Sequence, residues 1–335
     1  MHLLSFILVV CLNMSVFAAE ATSLSPEVTH RASWMEGQWG FRFNMPSMKK
    51  SQALADFDVD KMIEQIKVLD SASWVQINIT QGANGSFYTS PHHKLKKYVS
   101  SKITPKRDLF GEMLDALNKQ GFKVIVYFAT EGPTMGKHPD NALPHVIGNW
   151  KRYANSRGMS PEQAVADIIV KKYSLRYGKK ISGWWFDHAK YGDIKLLEKA
   201  ARAGNSEAVL AFNIGGSPKL LTGPESDFTA GHPTPMKQHL PSWKGNEAAI
   251  RLIEKNNYIN DSLGHFFLPM QAKWNSGKVA FDTEKAIDWT LRIVDAGGAI
   301  TWAVALSDPK KQKAPLASAQ FEQLKAINSA FKNRK

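Results

Sequence analysis

Eight short apolar runs, separated by amphipathic stretches with helical spacing, constrain this chain more than any other feature. The runs cover 38–44, 73–80, 122–129, 181–187, 208–213, 227–230, 265–270 and 298–305. Helical patterns fill most of the gaps, at 59–69, 109–120, 161–177, 194–203, 246–257 and 283–296, and a last one at 318–331 closes the chain. Strands that alternate with helices signal βαβ units and a parallel sheet. Eight such units predict an α/β fold of the (β/α)8 TIM-barrel type. Between the fifth and sixth runs no long helix fits, because 215–224 is rich in Gly, Pro and Ser, so the barrel is expected to be irregular there. A doubly wound open sheet is the competing architecture, but no Gly-rich phosphate loop follows the first run.

Local signals agree with this reading. In 109–120, Leu109, Met113, Leu114 and Leu117 share one helix face, as packing on a sheet requires. Asp108 stands at the N-cap position, Glu112 in the first turn, and Gly121 where the helix should stop.

The N-terminus reads differently. An apolar run at 3–10 leads to Ala18 and Ala19, and no Lys or Arg occurs before Arg31. That is the pattern of a secretory signal peptide over 1–19, leaving one catalytic-size domain over 30–335 with no membrane span. The expected location is secreted or periplasmic. Cys11 is the single cysteine, so cleavage removes thiolate and disulfide chemistry altogether.

The formal charge of +13 favours anionic partners. Lys and Arg are scattered through the chain rather than gathered into a nucleic-acid footprint, so no nucleic acid is expected. For an exported protein, an acidic or sulfated polysaccharide is the better fit.

Residues at the carboxyl ends of barrel strands, and in the loops just beyond them, line the active-site mouth. Those positions hold Asn44, Gln81, Glu131, Asp187, His188, Asn213, His232, Gln271 and Asp308. Carboxylates, amides and imidazoles describe a sugar site, where amides and imidazoles bind hydroxyls. Trp34, Trp39, Trp185, Trp274 and Trp302 offer flat faces for a pyranose ring. Asp187 is the sharpest of these positions. It follows Trp184, Trp185 and Phe186 directly, and an Asp ending an aromatic run is either a turn former or a functional carboxylate. No metal constellation or Ser nucleophile elbow is present: His92 and His93 are adjacent, and His-Glu-x-x-His spacing is missing. No metal or other cofactor is expected.

In order along the chain, several segments resemble the α-L-fucosidase type of glycoside hydrolase. Trp34 and then Gly40, Phe41, Arg42, Phe43 and Asn44 are similar to its first-strand pattern; Lys106, Arg107 and Asp108 resemble an Arg-Asp pair before the second helix; and 121–129 is similar to its third strand. Trp185, Phe186 and Asp187 match its Trp-Phe-Asp strand, and 294–308 looks like its last strand. The resemblance implies a retaining hydrolase in which Asp187 attacks the anomeric carbon. A second carboxyl about 5 to 5.5 Å away would protonate the leaving oxygen and then activate water. No motif carries that second carboxyl over; Glu131 is the first candidate, followed by Asp227 and Glu225. The departures from the family are specific. Asn44 stands where it has His, Gln81 to Gly85 replace a His-His-Asp-Gly motif, His232 lies near a usual Glu, and Lys244 follows Trp243 in place of Glu.

These readings converge on an exported retaining glycoside hydrolase acting on a poly- or oligosaccharide, anionic or sulfated. Asp187, Glu131 and Asp227 are the catalytic candidates. Asn44, Gln81, Trp185, His188, Asn213, His232, Trp274 and Trp302 are the substrate-binding ones. The alternative is a carbohydrate-binding barrel that has lost catalysis.

Overall fold

The computed structural model describes residues 30–81, 86–134, 144–214, 225–232, 240–307 and 315–334. The expected signal segment at 1–19, and Asp308 among the mouth positions, lie outside them. Seven parallel strands form one curled sheet: β1 (Gln38–Phe43), β2 (Trp74–Asn78), β3 (Lys123–Ala129), β4 (Gly183–Asp187), β5 (Val209–Phe212), β6 (His265–Pro269) and β7 (Ala299–Ala303). Their order across the sheet is β6-β7-β1-β2-β3-β4-β5. Consecutive strands β1 to β5 are thus neighbours, as in a barrel wall.

Among the described residues no eighth strand closes the sheet. The run expected at 227–230 crosses from β5 to β6 as irregular chain, with a single bridge from Phe228 to Leu263. The Asp227 amide donates to Leu210 O at 2.8 Å, while the Phe267 amide donates to Gly231 O at 3.1 Å. Thr229 explains why no ladder forms. Its hydroxyl donates to His265 O at 2.6 Å and accepts from the His265 amide at 2.8 Å, so a side chain takes the place of backbone pairing. The architecture is a TIM-like half barrel, and its irregularity falls after the fifth strand, where the Gly- and Pro-rich sequence placed it.

Strand alternation sorts side chains onto two faces. The concave face holds Trp74, Ile125, Trp185, Val209, Ala211, Phe267, Ala299 and Ala303, packed as one cluster with Ala32 and Met35 of the 3-10 helix Arg31–Met35. The convex face holds Phe41, Val75, Val124, Phe186, Leu210 and Trp302, covered by helices. Gly40 on the concave face is dictated by packing: a Cβ there would sit 2.4 Å from the Trp74 indole.

Four of the covering helices start on an Asp whose side chain caps a backbone amide: Asp58 to Lys61 N, Asp108 to Gly111 N, Asp193 to Leu196 N and Asp282 to Lys285 N. Such caps satisfy amides that have no partner within the helix. The helix expected over 161–177 contains a π-helical turn at Val165–Val170. Two rim helices, His93–Tyr98 and Pro144–Asn155, have no counterpart among the helices read from the sequence. Among the described residues, no helix is long and apolar enough to cross a membrane.

Candidate active site

Asp187 is the last residue of β4, at the carboxyl end of the sheet and on its concave side. It is 7% exposed, and its oxygens are divided between donors. Tyr127 Oη donates to Oδ2 at 2.6 Å; Asn213 Nδ2 and the His188 amide donate to Oδ1 at 2.8 and 3.0 Å. Burial alone would raise this carboxyl. The His188 and His232 rings and the hydrogen bonds from Tyr127 and Asn213 outweigh it and hold the group below the usual carboxylate range. Asp187 is therefore an anion at neutral pH, oriented by groups from three strand ends. Tyr127 stays a phenol, because burial and the neighbouring Asp187 charge raise it well above its ordinary value.

His188 takes a left-handed backbone conformation, φ 54°, which is uncommon outside Gly and Asn. The turn carries its ring back over the strand end. There Nδ1 lies 2.5 Å from Glu131 Oε1, and Nε2 lies 3.6 Å from Asp187 Oδ2. Burial works against the imidazolium, but pairing with Glu131 and the charge of Asp187 raise it to about 9. Thr130, whose hydroxyl donates to His188 O at 2.6 Å, holds the turn.

Glu131 is thus placed behind His188. One imidazole lies between the two carboxyls, so Glu131 reaches Asp187 through that ring and does not face it as a second free carboxyl. Asp227 is not brought to the site at all. Its carboxylate accepts from Arg202 Nη2 at 2.7 Å and from the Leu210 amide at 2.8 Å, and lies 3.7 Å from Arg31 of the 3-10 helix. Leu210 stands near the start of β5 and Arg31 beside the amino ends of the strands, so Asp227 belongs to the opposite end of the sheet.

The aromatic candidates separate in the same way. Trp185 is fully buried, donates to Ala230 O at 3.0 Å and stacks on Tyr127 at 5.6 Å; it forms the floor of the site. Trp274 is partly exposed and lies parallel to the His232 ring, 4.7 Å between centroids. Trp302 is on the convex face, where its Nε1 donates to Thr290 in the covering helix Thr283–Asp295, so it cannot touch a ligand in the mouth. Gln81 pairs with Phe87 in a short hairpin beyond β2. Asn44 accepts from Arg42 Nη2 at 2.8 Å and donates to Asn275.

Two site residues were absent from the sequence candidates. Arg42 is 5% exposed, its guanidinium 4.1 Å above the Tyr127 ring and 5.7 Å from Trp274. Tyr127 is the closest donor to Asp187. Both occupy concave positions within two residues of a strand end, so strand alternation was the signal that could have found them. His232 completes the cluster. Burial lowers it to about 4 although Asp187 pulls the other way, so it is neutral at neutral pH while His188 is charged. Among the described residues, no group of three His, Cys, Asp or Glu side chains is arranged to hold a metal.

A family model described as the endo-α(1,4)-fucoidanase Mef1 matches residues 29–217 and 219–334, nearly the whole chain. The chain belongs to the Mef1 endo-fucoidanase family. Membership places it among glycoside hydrolases, and it narrows the α-L-fucosidase resemblance of the sequence to a coarser likeness. Solved structures give the same picture of the fold. The endo-fucoidan hydrolase MfFcnA4 from glycoside hydrolase family 107 superposes with a TM-score of 0.80 at 21% identity, covering 90% of this chain and 53% of that one. P5AFcnA, another endo-fucoidan hydrolase of family 107, gives 0.80 at 19% identity over 91% of this chain and 94% of its own. The chain therefore spans about half of MfFcnA4 and nearly all of P5AFcnA. The α-L-fucosidase AlfC from Lactobacillus casei is more distant, with a TM-score of 0.55 at 14% identity over 90% of this chain and 98% of that chain. No curated protein matches the sequence. For a Mef1-family chain, the cluster around Asp187 is the arrangement whose chemistry has to be explained.

Proposed function

We propose that this Mef1-family chain is an exported, retaining hydrolase that cleaves sulfated fucan within the polymer. The observation that carries the reading is Asp187: an anion at the mouth of the half barrel, with Tyr127 and Asn213 fixing its two oxygens. A carboxylate so oriented attacks the anomeric carbon without first reorganising its surroundings.

The proton donor is assigned to His232, with Glu131 acting through His188. A general acid works best with a pKa near the working pH. His188 starts at about 9 and is committed to two carboxylates; a sulfated sugar beside it drives it higher. His232 starts at about 4, and the same anionic sugar raises it toward neutrality, so substrate binding itself loads the proton. In the first step Asp187 bonds to the anomeric carbon while the His232 proton passes to the departing glycosidic oxygen. In the second, the neutral ring takes a proton from water, the hydroxide displaces Asp187 from the sugar, and configuration is retained. His188 and Glu131 hold charge balance beside the nucleophile.

The test is cleavage of sulfated fucan followed by oligosaccharide electrophoresis and by NMR of the first anomer released. Wild type should yield oligosaccharides of retained configuration. Asp187→Asn should remove turnover in a protein that still unfolds cooperatively, at a lower melting temperature because the charged contacts of Asp187 are lost. His232→Ala should lose the polymer as substrate and recover on an oligofucoside bearing an activated aryl leaving group, which needs no protonation. Cleavage surviving in Asp187→Asn removes the nucleophile assignment. Glycan binding by wild type without any released ends favours a binding protein instead.

A further inference from the structure

A second surface on the mouth side of the sheet carries chemistry that the catalytic site does not use. Segment 71–107, which runs from β2 toward the next helix, contains Lys94, Lys96, Lys97, Lys102, Lys106 and Arg107 and no Asp or Glu. Segment 141–161, beyond β3, contains Lys151, Arg152 and Arg157 and again no acidic residue. In a chain with 30 acidic residues, two such stretches side by side make a local cationic field.

The fold brings them together. Helix His93–Tyr98 from the first packs on helix Pro144–Asn155 from the second, tied by Asn149 Nδ2 donating to Val99 O at 2.7 Å. At the contact Tyr98 and Tyr153 stack face to face, 4.5 Å between centroids and 8° from parallel. Tyr98 remains 45% exposed, and Lys97 Nζ lies 5.1 Å from its ring centre. Lys94, Lys97 and Tyr98 follow i, i+3, i+4 spacing and so share one helix face. Among the described residues no carboxylate forms an ion pair with Lys94, Lys97, Lys151 or Arg152. The cations face solvent beside a rigid aromatic ring, and Trp150 beneath is fully buried, so the helix carrying Tyr153 is anchored.

We propose that this rim is an accessory binding site for a sulfated polysaccharide, with a sugar's apolar face on Tyr98 and its sulfate groups on Lys94 and Lys97. The inference rests on the substrate class proposed above. A polysaccharide is favoured over nucleic acid by position: the two helices follow β2 and β3 in chain order, and β3 carries Tyr127, the donor to Asp187. On this proposal a polymer held at Asp187 extends onto the platform, while the shortest cleaved oligosaccharide does not, and the kinetics below separate the two.

The experiment uses the full chain in affinity electrophoresis through gels containing sulfated fucan, its desulfated form, heparin or DNA, together with kinetics on polymer and on the shortest cleaved sulfated oligosaccharide. Tyr98→Ala and the pair Lys94→Gln, Lys97→Gln should each weaken retention by sulfated fucan about fivefold, the scale of one lost aromatic or ionic contact. They should raise KM for polymer without changing kcat, and leave oligosaccharide turnover and melting temperature as in wild type. Retention of both variants equal to wild type overturns the proposal. Equal weakening by the lysine pair on desulfated fucan, or DNA retained as strongly as sulfated fucan, overturns it too. Failure of wild type to cleave fucan would sink the catalytic reading alone. The platform is then judged by heparin, on which weaker retention of the variants supports it and unchanged retention refutes it.

Discussion

Replacing Tyr127 with Phe removes one oxygen and tests the electrostatics of the site. The ring should stay in place, because it is stacked 5.6 Å from Trp185 and lies 4.1 Å beneath the Arg42 guanidinium. What is lost is a 2.6 Å hydrogen bond to a buried carboxylate, a charge-assisted contact of about 1.5–3 kcal/mol. Asp187 has a folded value below the ordinary carboxylate range, so its contribution to stability is present above about pH 4 and is lost as pH falls through the folded value. Removing the donor moves that folded value up. Urea unfolding at pH 7 should therefore show Tyr127→Phe less stable by about 1.5–3 kcal/mol, with the gap closing in acid, where Asp187 is protonated in both proteins. The acid limb of kcat/KM should move to higher pH in parallel, since ionised Asp187 is the nucleophile. Equal stability at neutral pH together with an unmoved acid limb would refute the assignment of this phenol as the donor that keeps Asp187 charged.

Three further outcomes follow from the geometry. His188 should titrate near pH 9 by histidine-ring NMR; because its folded value is raised, its stabilising contribution is complete below about pH 6.5 and disappears as pH rises through about 9, so the stability gap to His188→Gln should shrink over that window. A ring titrating near 6.5 would contradict the Glu131 pairing. Asp227→Ala should cost about 1–3 kcal/mol of stability by leaving the Leu210 amide without its side-chain acceptor, yet turnover per folded molecule should match wild type. Trp302→Phe should likewise lower the melting temperature without altering KM, since it loses its bond to Thr290 in a dry layer under a helix; a KM change would place Trp302 in the mouth after all.

Much of the fold was legible because alternation and amphipathic spacing are local properties of the chain. Seven runs became strands, and Asp108 caps its helix as read. The run at 227–230 failed because Thr229 supplies by side chain what a strand supplies by backbone, a substitution invisible in a pattern of apolar residues. Trp302 was misjudged for a simpler reason. Ala299, Thr301 and Ala303 alternate with Ile300 and Trp302, and the small residues take the concave side, so parity alone argues against it. Asp187 was accessible from its place at a strand end. His188, Asn213, His232 and Glu131 were named from similar places, but their pairing was not legible, since the left-handed turn at His188 and the reach of Glu131 to that ring depend on loops that meet only in three dimensions.

The gap between β5 and β6 divides the pocket mechanically. Asp187 rides on β4, laddered to neighbours on both sides, so the attacking atom sits on the stiffest wall. His232 follows 227–231, which is tied to both sides by single hydrogen bonds to Leu210, Leu263, His265 and Phe267, two of them through the Thr229 hydroxyl, rather than by a ladder. Amide hydrogen exchange is therefore expected to be faster at 227–232 than along β4, so that adaptation to a bulky polymer falls on the imidazole and its Trp274 partner rather than on the nucleophile. On that expectation the broken ladder acts as a compliance: one half of the site adapts to the sugar chain while the other half keeps its aim.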